Sequence, residues 1–201
     1  MPLPATKIQI KNWFASDAHF NQLYPTPVQL LAKRHFTPLV VARKAANFLA
    51  AENEVKILDI GSGAGKFCLA AAHYKPGAFF YGIEQRKKLI DHAEATKKIL
   101  NYKNVFFLNG NFTQVDFNQY DHFYFYNSFY ENLSMAEKID DSIAYSPELF
   151  KYYNQYLFKQ LEQKPAGTRV AAYHSLEDEM PPGYQVVGVE MDSRLTFWIK
   201  I

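Results

Sequence analysis

The sequence predicts an α/β fold: a seven-stranded, mostly parallel sheet with helices on both faces and an antiparallel hairpin at its C-terminal end. Three observations lead to it. Short apolar runs alternate with stretches of helical spacing, a glycine-rich loop lies where the first run turns into a helix, and the last two runs stand too close together for a helix between them. Alternating strands and helices imply right-handed crossovers and parallel pairing. Near-continuous apolar strands fit a sheet that is covered on both faces.

The elements follow in order. Residues 27–35 and 38–50 read as two N-terminal helices, each with an early Pro and with Thr26 or Thr37 just before it as a cap. Four apolar runs follow at 55–60, 78–84, 105–109 and 122–126, rich in β-branched or aromatic residues and bounded by polar or Gly positions. Between them, 64–74 is Ala-rich and stopped by Pro76-Gly77, and 85–100 sets Leu89, Ile90, Ala93, Lys97 and Leu100 at near-helical spacing. A long helix runs from Ser146-Pro147-Glu148 to about Lys164, where Pro165-Ala166-Gly167 stops it. Strands at 169–173, 185–190 and 195–201 complete the set, the last two joined through Met191-Asp192-Ser193 as a hairpin.

Composition narrows the class. With 201 residues the chain suits one domain, a helical cap at 1–54 on a core at 55–201. It is 48% hydrophobic and 21% charged, which excludes wholesale disorder, collagen and coiled coil. Cys68, the one cysteine, offers neither an internal disulfide nor metal-ligand spacing, so no metal is expected. Met1-Pro2-Leu3-Pro4 does not open a targeting signal and no run of about 20 apolar residues occurs, so a cytoplasmic protein without a membrane partner is expected. A net charge of +2 and a pI of 8.4 do not indicate nucleic acid, although a patch such as Arg86-Lys87-Lys88 leaves it open. The outlier is aromatic content: 17 Phe, 14 Tyr and 2 Trp.

The sharpest signal is Leu58-Asp59-Ile60-Gly61-Ser62-Gly63-Ala64-Gly65-Lys66, at a strand-to-helix turn where open parallel sheets bind ligands. A phosphate-binding P-loop needs four residues between its glycines, and here three separate Gly61 from Gly65. The dinucleotide fingerprint would need a small residue where Lys66 stands. What fits is Asp-x-Gly-x-Gly-x-Gly, which resembles motif I of the class I S-adenosylmethionine-dependent methyltransferases, whose fold is Rossmann-like. The resemblance covers 55–201 and implies S-adenosyl-L-methionine as cofactor, with S-adenosyl-L-homocysteine as product. It implies that Gly61, Ser62, Gly63 and Gly65 let the backbone approach the methionine part, and that Asp59 complements the ammonium group directly or through water.

Further positions extend the match. Glu84 ends the second strand, and its two oxygens can take both ribose hydroxyls, with the Gln85 backbone beside the adenine. The alternative for Glu84 is an acid favoured by the helix that follows. Asn111 and Phe112, in Asn109-Gly110-Asn111-Phe112, match the adenine position of the family: an Asn111 oxygen for the exocyclic amine and Phe112 for the ring. Asn-Gly-Asn is also an ordinary turn.

The residues after the fourth strand line the acceptor side in this family. They read Phe125-Tyr126-Asn127-Ser128-Phe129-Tyr130-Glu131-Asn132. Asn127 and Tyr130 are the candidate catalytic residues, and Asn127 also borders the cofactor. An amide oxygen that accepts from an N–H leaves the nitrogen lone pair facing the methyl. The segment Tyr124-Phe125-Tyr126-Asn127-Ser128-Phe129 is similar to the Phe-x-Asn-Asn-Phe pattern of Dot-one-like protein-lysine methyltransferases, with Ser128 where that family has Asn. Tyr126, Phe129 and Tyr130 are the rings expected around the cationic centre, while alternation assigns Phe123 and Phe125 to the core.

Tyr24-Pro25-Thr26-Pro27 and His35-Phe36-Thr37-Pro38 resemble pieces that cover the cofactor in lysine methyltransferases. His174 and the acids Glu177, Asp178 and Glu179 follow the fifth strand, either to receive a cationic substrate or as a solvated loop. The expected function is methyl transfer from S-adenosylmethionine to an amine, a protein lysine or a small molecule. The alternatives are a non-catalytic S-adenosylmethionine-binding module and, in third place, a nicotinamide oxidoreductase.

Overall fold

The computed structural model describes residues 12–133, 138–174 and 180–201. Seven strands form one sheet in the order β3-β2-β1-β4-β5-β7-β6. They are β1 (Lys56–Ile60), β2 (Phe79–Glu84), β3 (Val105–Asn109), β4 (His122–Tyr126), β5 (Arg169–Tyr173), β6 (Tyr184–Glu190) and β7 (Leu195–Lys200). The β3-β2-β1-β4-β5 stretch is parallel, whereas β7 runs antiparallel to both β5 and β6. The expected architecture is therefore borne out.

Period-two burial divides the sheet between two cores. Ile57, Phe80 and Tyr124 face one core with α4 (Leu39–Leu49), α5 (Lys66–Tyr74) and α6 (Lys87–Leu100). Leu58, Ile83, Phe123 and Phe125 face the other with α7 (Pro147–Glu162). Phe123 and Phe125 are core residues as expected, only 1% and 6% exposed. The helix expected from Ser146-Pro147-Glu148 starts there, and Ser146 caps α7, its Oγ accepting from Leu149 N at 3.1 Å with Pro147 in the first turn.

The N-terminal region differs from expectation. A short helix α1 (Asp17–Asn21) precedes it, and the single helix expected at 27–35 is two, α2 (Thr26–Gln29) and α3 (Ala32–His35). The break at Leu30 and Leu31 lets Val28 and Phe36 both reach the core while Leu30 stays 77% exposed. Neither threonine caps a helix: Thr26 is helical, and Thr37 Oγ1 lies 3.0 Å from Tyr124 Oη beneath the sheet. A buried hydroxyl needs a partner, and Tyr124, fully buried, has the same need. Among the described residues no helix is long and apolar enough to cross a membrane.

Candidate functional site

Strand order reverses between β1 and β4, so their carboxyl ends diverge and leave a crevice, the usual ligand position in an open parallel sheet. The glycine loop leaves β1 there and the Asn127 loop leaves β4. Two adjoining cavities occupy the crevice. The larger, about 430 Å³, is walled by Gly61, Gly63, Tyr126, Asn127, Tyr130, His35 and His174, among others. The smaller lies among Ile83, Gln85, Phe112, Phe129 and Tyr153. Gly61, Glu84, Arg86, Ser128 and Glu131 line both, making one continuous trough.

All three loop glycines have positive φ, between 55° and 78°, but for different reasons. A Cβ on Gly61 would lie 2.5 Å from Ser128 Cβ, and one on Gly65 would lie 2.4 Å from the Phe107 ring. At these two positions protein packing alone already requires glycine. Only Gly63 has open space on its Cβ side, and it borders the larger cavity. It is the candidate cradle position, since a side chain there would enter the cavity.

The N-terminal helices hold this loop from behind. Tyr24 Oη donates to Ala64 O at 3.0 Å. Lys66, whose bulk argued against a dinucleotide site, turns away from the trough: its buried Nζ donates to Asp17 Oδ1 at 2.5 Å and Asn21 Oδ1 at 2.9 Å.

Asp59 is 3% exposed and does not line either cavity; Cys68 Sγ donates to it at 3.5 Å. Burial, partly offset by that hydrogen bond, pushes its carboxyl pKa up to about 8. The expected contact with a cofactor ammonium is not direct in this geometry. Ser62 Oγ is buried without a partner among the described residues and packs over Gly82, outside both cavities.

Glu84 is in place at the end of β2. Its Oε2 accepts from Gly63 N at 3.1 Å, and Oε1 accepts from Arg86 N at 2.9 Å and Arg86 Nη1 at 3.4 Å. Burial raises its pKa, and the Arg86 contacts and the Gly63 N–H oppose that rise. Asn111 departs from expectation: Oδ1 accepts from Thr113 N, and Nδ2 donates to Gln85 Oε1 at 3.2 Å and Tyr153 Oη at 2.8 Å. Its oxygen caps a turn, because the backbone N–H of that turn lies two residues ahead. Phe112 stacks on Phe129 with ring centroids 4.9 Å apart. Phe129 therefore belongs to the core and the smaller cavity, not to the ring set at the acceptor.

On the other side, Asn127 has φ of 46° and His174 φ of 60°, left-handed conformations at the ends of neighbouring strands that turn both residues into the larger cavity wall. Asn tolerates that conformation better than most residues. The Asn127 side-chain amide has no hydrogen-bond partner among the described residues. Tyr130 is 51% exposed beside it. Tyr126 donates to Arg34 O at 3.0 Å and stacks on His174 at 5.9 Å. Glu177, Asp178 and Glu179 lie outside the described residues.

The residue that sequence reading missed is Arg86. Buried at 7% exposure, it contacts Glu84, donates to Glu131 Oε2 and to Tyr145 Oη at 2.6 Å, and lies 3.3 Å from Asp140 Oδ1. Its signal is an arginine two residues past the candidate ribose acid, which the sequence shows only as the first residue of the basic run Arg86-Lys87-Lys88.

A Rossmann-like sheet with a glycine cradle at its switch point and an acid at the next strand end defines a nucleoside-cofactor protein. The family model described as "Methyltransferase domain" matches residues 51–193, so the chain belongs to that family. Membership bears out the class I methyltransferase resemblance and S-adenosyl-L-methionine as the cofactor. The chain is 28% identical over 137 residues to a release factor glutamine methyltransferase of Buchnera aphidicola, covering 60% of this chain and 49% of that one. It is 44% identical over 54 residues to a tRNA (guanine-N(7)-)-methyltransferase of a Synechococcus strain, covering 27% of this chain and 23% of that one. The chain thus spans about half the length of the first relative and less of the second. The solved structure of TrmN from Thermus thermophilus shares the fold with a TM-score of 0.62 at 20% identity, covering 87% of this chain and 52% of that one.

These matches correct one expectation. Net charge and pI do not indicate nucleic acid, yet the matched relatives include tRNA methyltransferases. Net charge averages over the whole surface, whereas a base-sized acceptor meets only the few residues at one cavity.

Proposed function

We propose that the chain is an S-adenosylmethionine-dependent methyltransferase acting on a nitrogen in RNA. The observation that carries this is the place of Asn127, turned by its left-handed backbone into the cavity wall beside Gly63 and flanked by Tyr126, Tyr130 and His174. When bound, the cofactor supplies an electrophilic methyl. The chain supplies geometry: Gly63 and Glu84 hold the cofactor, Phe112 and Gln85 border its base, and Asn127 accepts from the acceptor N–H so that the lone pair points at the methyl. Aromatic faces suit a planar base as well as a cation. The tRNA methyltransferases among the relatives support RNA over the protein lysine expected from the sequence.

The test is incubation of the purified chain with methyl-labelled S-adenosylmethionine, total RNA and total protein, followed by nucleoside mass spectrometry. One labelled N-methylated nucleoside is expected. Label confined to protein, as a glutamine-directed relative suggests, overturns the RNA reading; cofactor binding without transfer to either fraction overturns the enzyme.

A further inference from the structure

Arg86 joins both sides of the trough. From the cofactor side it reaches Glu84, and from the acceptor side Glu131, four residues past Asn127. From above it reaches Asp140 and Tyr145, and residues Ile139, Ile143, Ala144 and Tyr145 roof the two cavities. Its contacts are unequal. The Nη1 contact to Glu84 Oε1 is 3.4 Å, at the long end of hydrogen bonding, whereas Nη2 to Tyr145 Oη is 2.6 Å. Glu84 Oε1 also accepts from Arg86 N at 2.9 Å, a backbone donor held in place because the Arg86 carbonyl accepts the first bonds of α6 from Leu89 N and Ile90 N. A hydroxyl that comes to Glu84 Oε1 therefore displaces the guanidinium contact first. The displaced guanidinium stays between Glu131 and Asp140, which keep its charge compensated.

We propose that Arg86 is a positioning residue that couples cofactor binding to the acceptor side: when ribose hydroxyls take Glu84 Oε1, the guanidinium gives up Glu84 and commits wholly to Glu131, Asp140 and Tyr145, which holds the 138–145 roof and the 127–132 loop in place. This rests on the reading of Glu84 as the ribose acid. Because coupling is reciprocal, an acceptor seated against the 127–132 loop tightens the cofactor to the same degree.

Hydrogen–deuterium exchange on the full chain, with and without S-adenosylhomocysteine at a concentration that calorimetry shows to be saturating, tests this. The wild type is expected to slow exchange about tenfold in 127–132 and 138–145. Arg86→Lys, a point charge without the planar fork, is expected to bind the probe yet show less than about twofold protection there. Full protection in Arg86→Lys, or none in saturated wild type, overturns the coupling. If Arg86→Lys loses its cooperative thermal transition, Glu131→Gln must show the same loss of protection, and full protection in it is equally fatal. Glu84→Gln that binds the probe as tightly as wild type overturns the ribose reading itself, which separates the two failures.

Discussion

Ser128 occupies the space that a side chain on Gly61 would need, its Cβ 2.5 Å from where a Gly61 Cβ would stand, and its hydroxyl donates to Ile60 O. The ends of β1 and β4 are thereby laced together at the point where the two loops of the site begin. Ser128, the position that departs from the Dot-one-like pattern, is part of this lacing.

The glycines should separate by experiment. Gly61→Ala meets both left-handed strain and Ser128, and is expected to cost about 2 to 4 kcal/mol of stability. Gly63→Ala meets only the strain, about 1 kcal/mol, but its methyl enters the cavity and should weaken S-adenosylhomocysteine binding at least about tenfold. Urea unfolding and calorimetry on both variants check this; equal destabilisation would contradict the division.

On the proposed function, Asn127→Ala removes the amide that orients the acceptor and leaves Gly63 and Glu84 untouched. Turnover is expected to fall by two orders of magnitude or more, roughly the effect of losing one transition-state contact, while S-adenosylhomocysteine affinity changes by less than about threefold. Parallel loss of both would assign Asn127 to cofactor binding instead.

Asp59 makes stability depend on pH in an unusual direction. Its folded pKa, about 8, lies above the unfolded value near 4, so between those limits the folded state binds the extra proton. The stabilisation is full at low pH and is lost as pH rises through 8. Asp59→Asn mimics the protonated form, so the Tm of the variant minus that of wild type should grow between pH 5 and 8. A difference that stays flat across those pH values would show that the carboxyl is ionised in the fold.

The Lys66 and Asp17 pair anchors the N-terminal helices. Asp17→Ala leaves a buried ammonium with Asn21 alone and also removes the acceptor for Leu39 N. It should cost about 2 kcal/mol, less than a fully buried pair because Asp17 is half exposed. Lys66→Met removes the buried charge and should cost less; denaturant melts that rank the two the other way would refute this account.

Much of the site was legible where backbone chemistry is local. The strand at 55–60, the glycine run and the acid at 84 follow from periodicity and from the few residues that tolerate positive φ. The break in the N-terminal helix was not legible, because tertiary burial of Val28 and Phe36 overrides local propensity. The oxygen of Asn111 was misassigned for a related reason: the residue type suits both a ligand and a turn, and only the fold shows Thr113 taking it.

The sequence by itself determined the sheet, the family resemblance and the strand ends from which a cofactor site is built, since each depends on spacing along the chain. Tertiary structure decided which glycine has open space beside the cavity, that Asp59 lies buried behind the loop, and that Arg86 bridges Glu84 and Glu131. Several of those facts depend on residues far apart in sequence meeting at one crevice, as Arg86 meets Glu131 and Asp140 and as Ser128 meets the end of β1. No local pattern carries such meetings, because burial and charge compensation are settled only when the whole chain has packed.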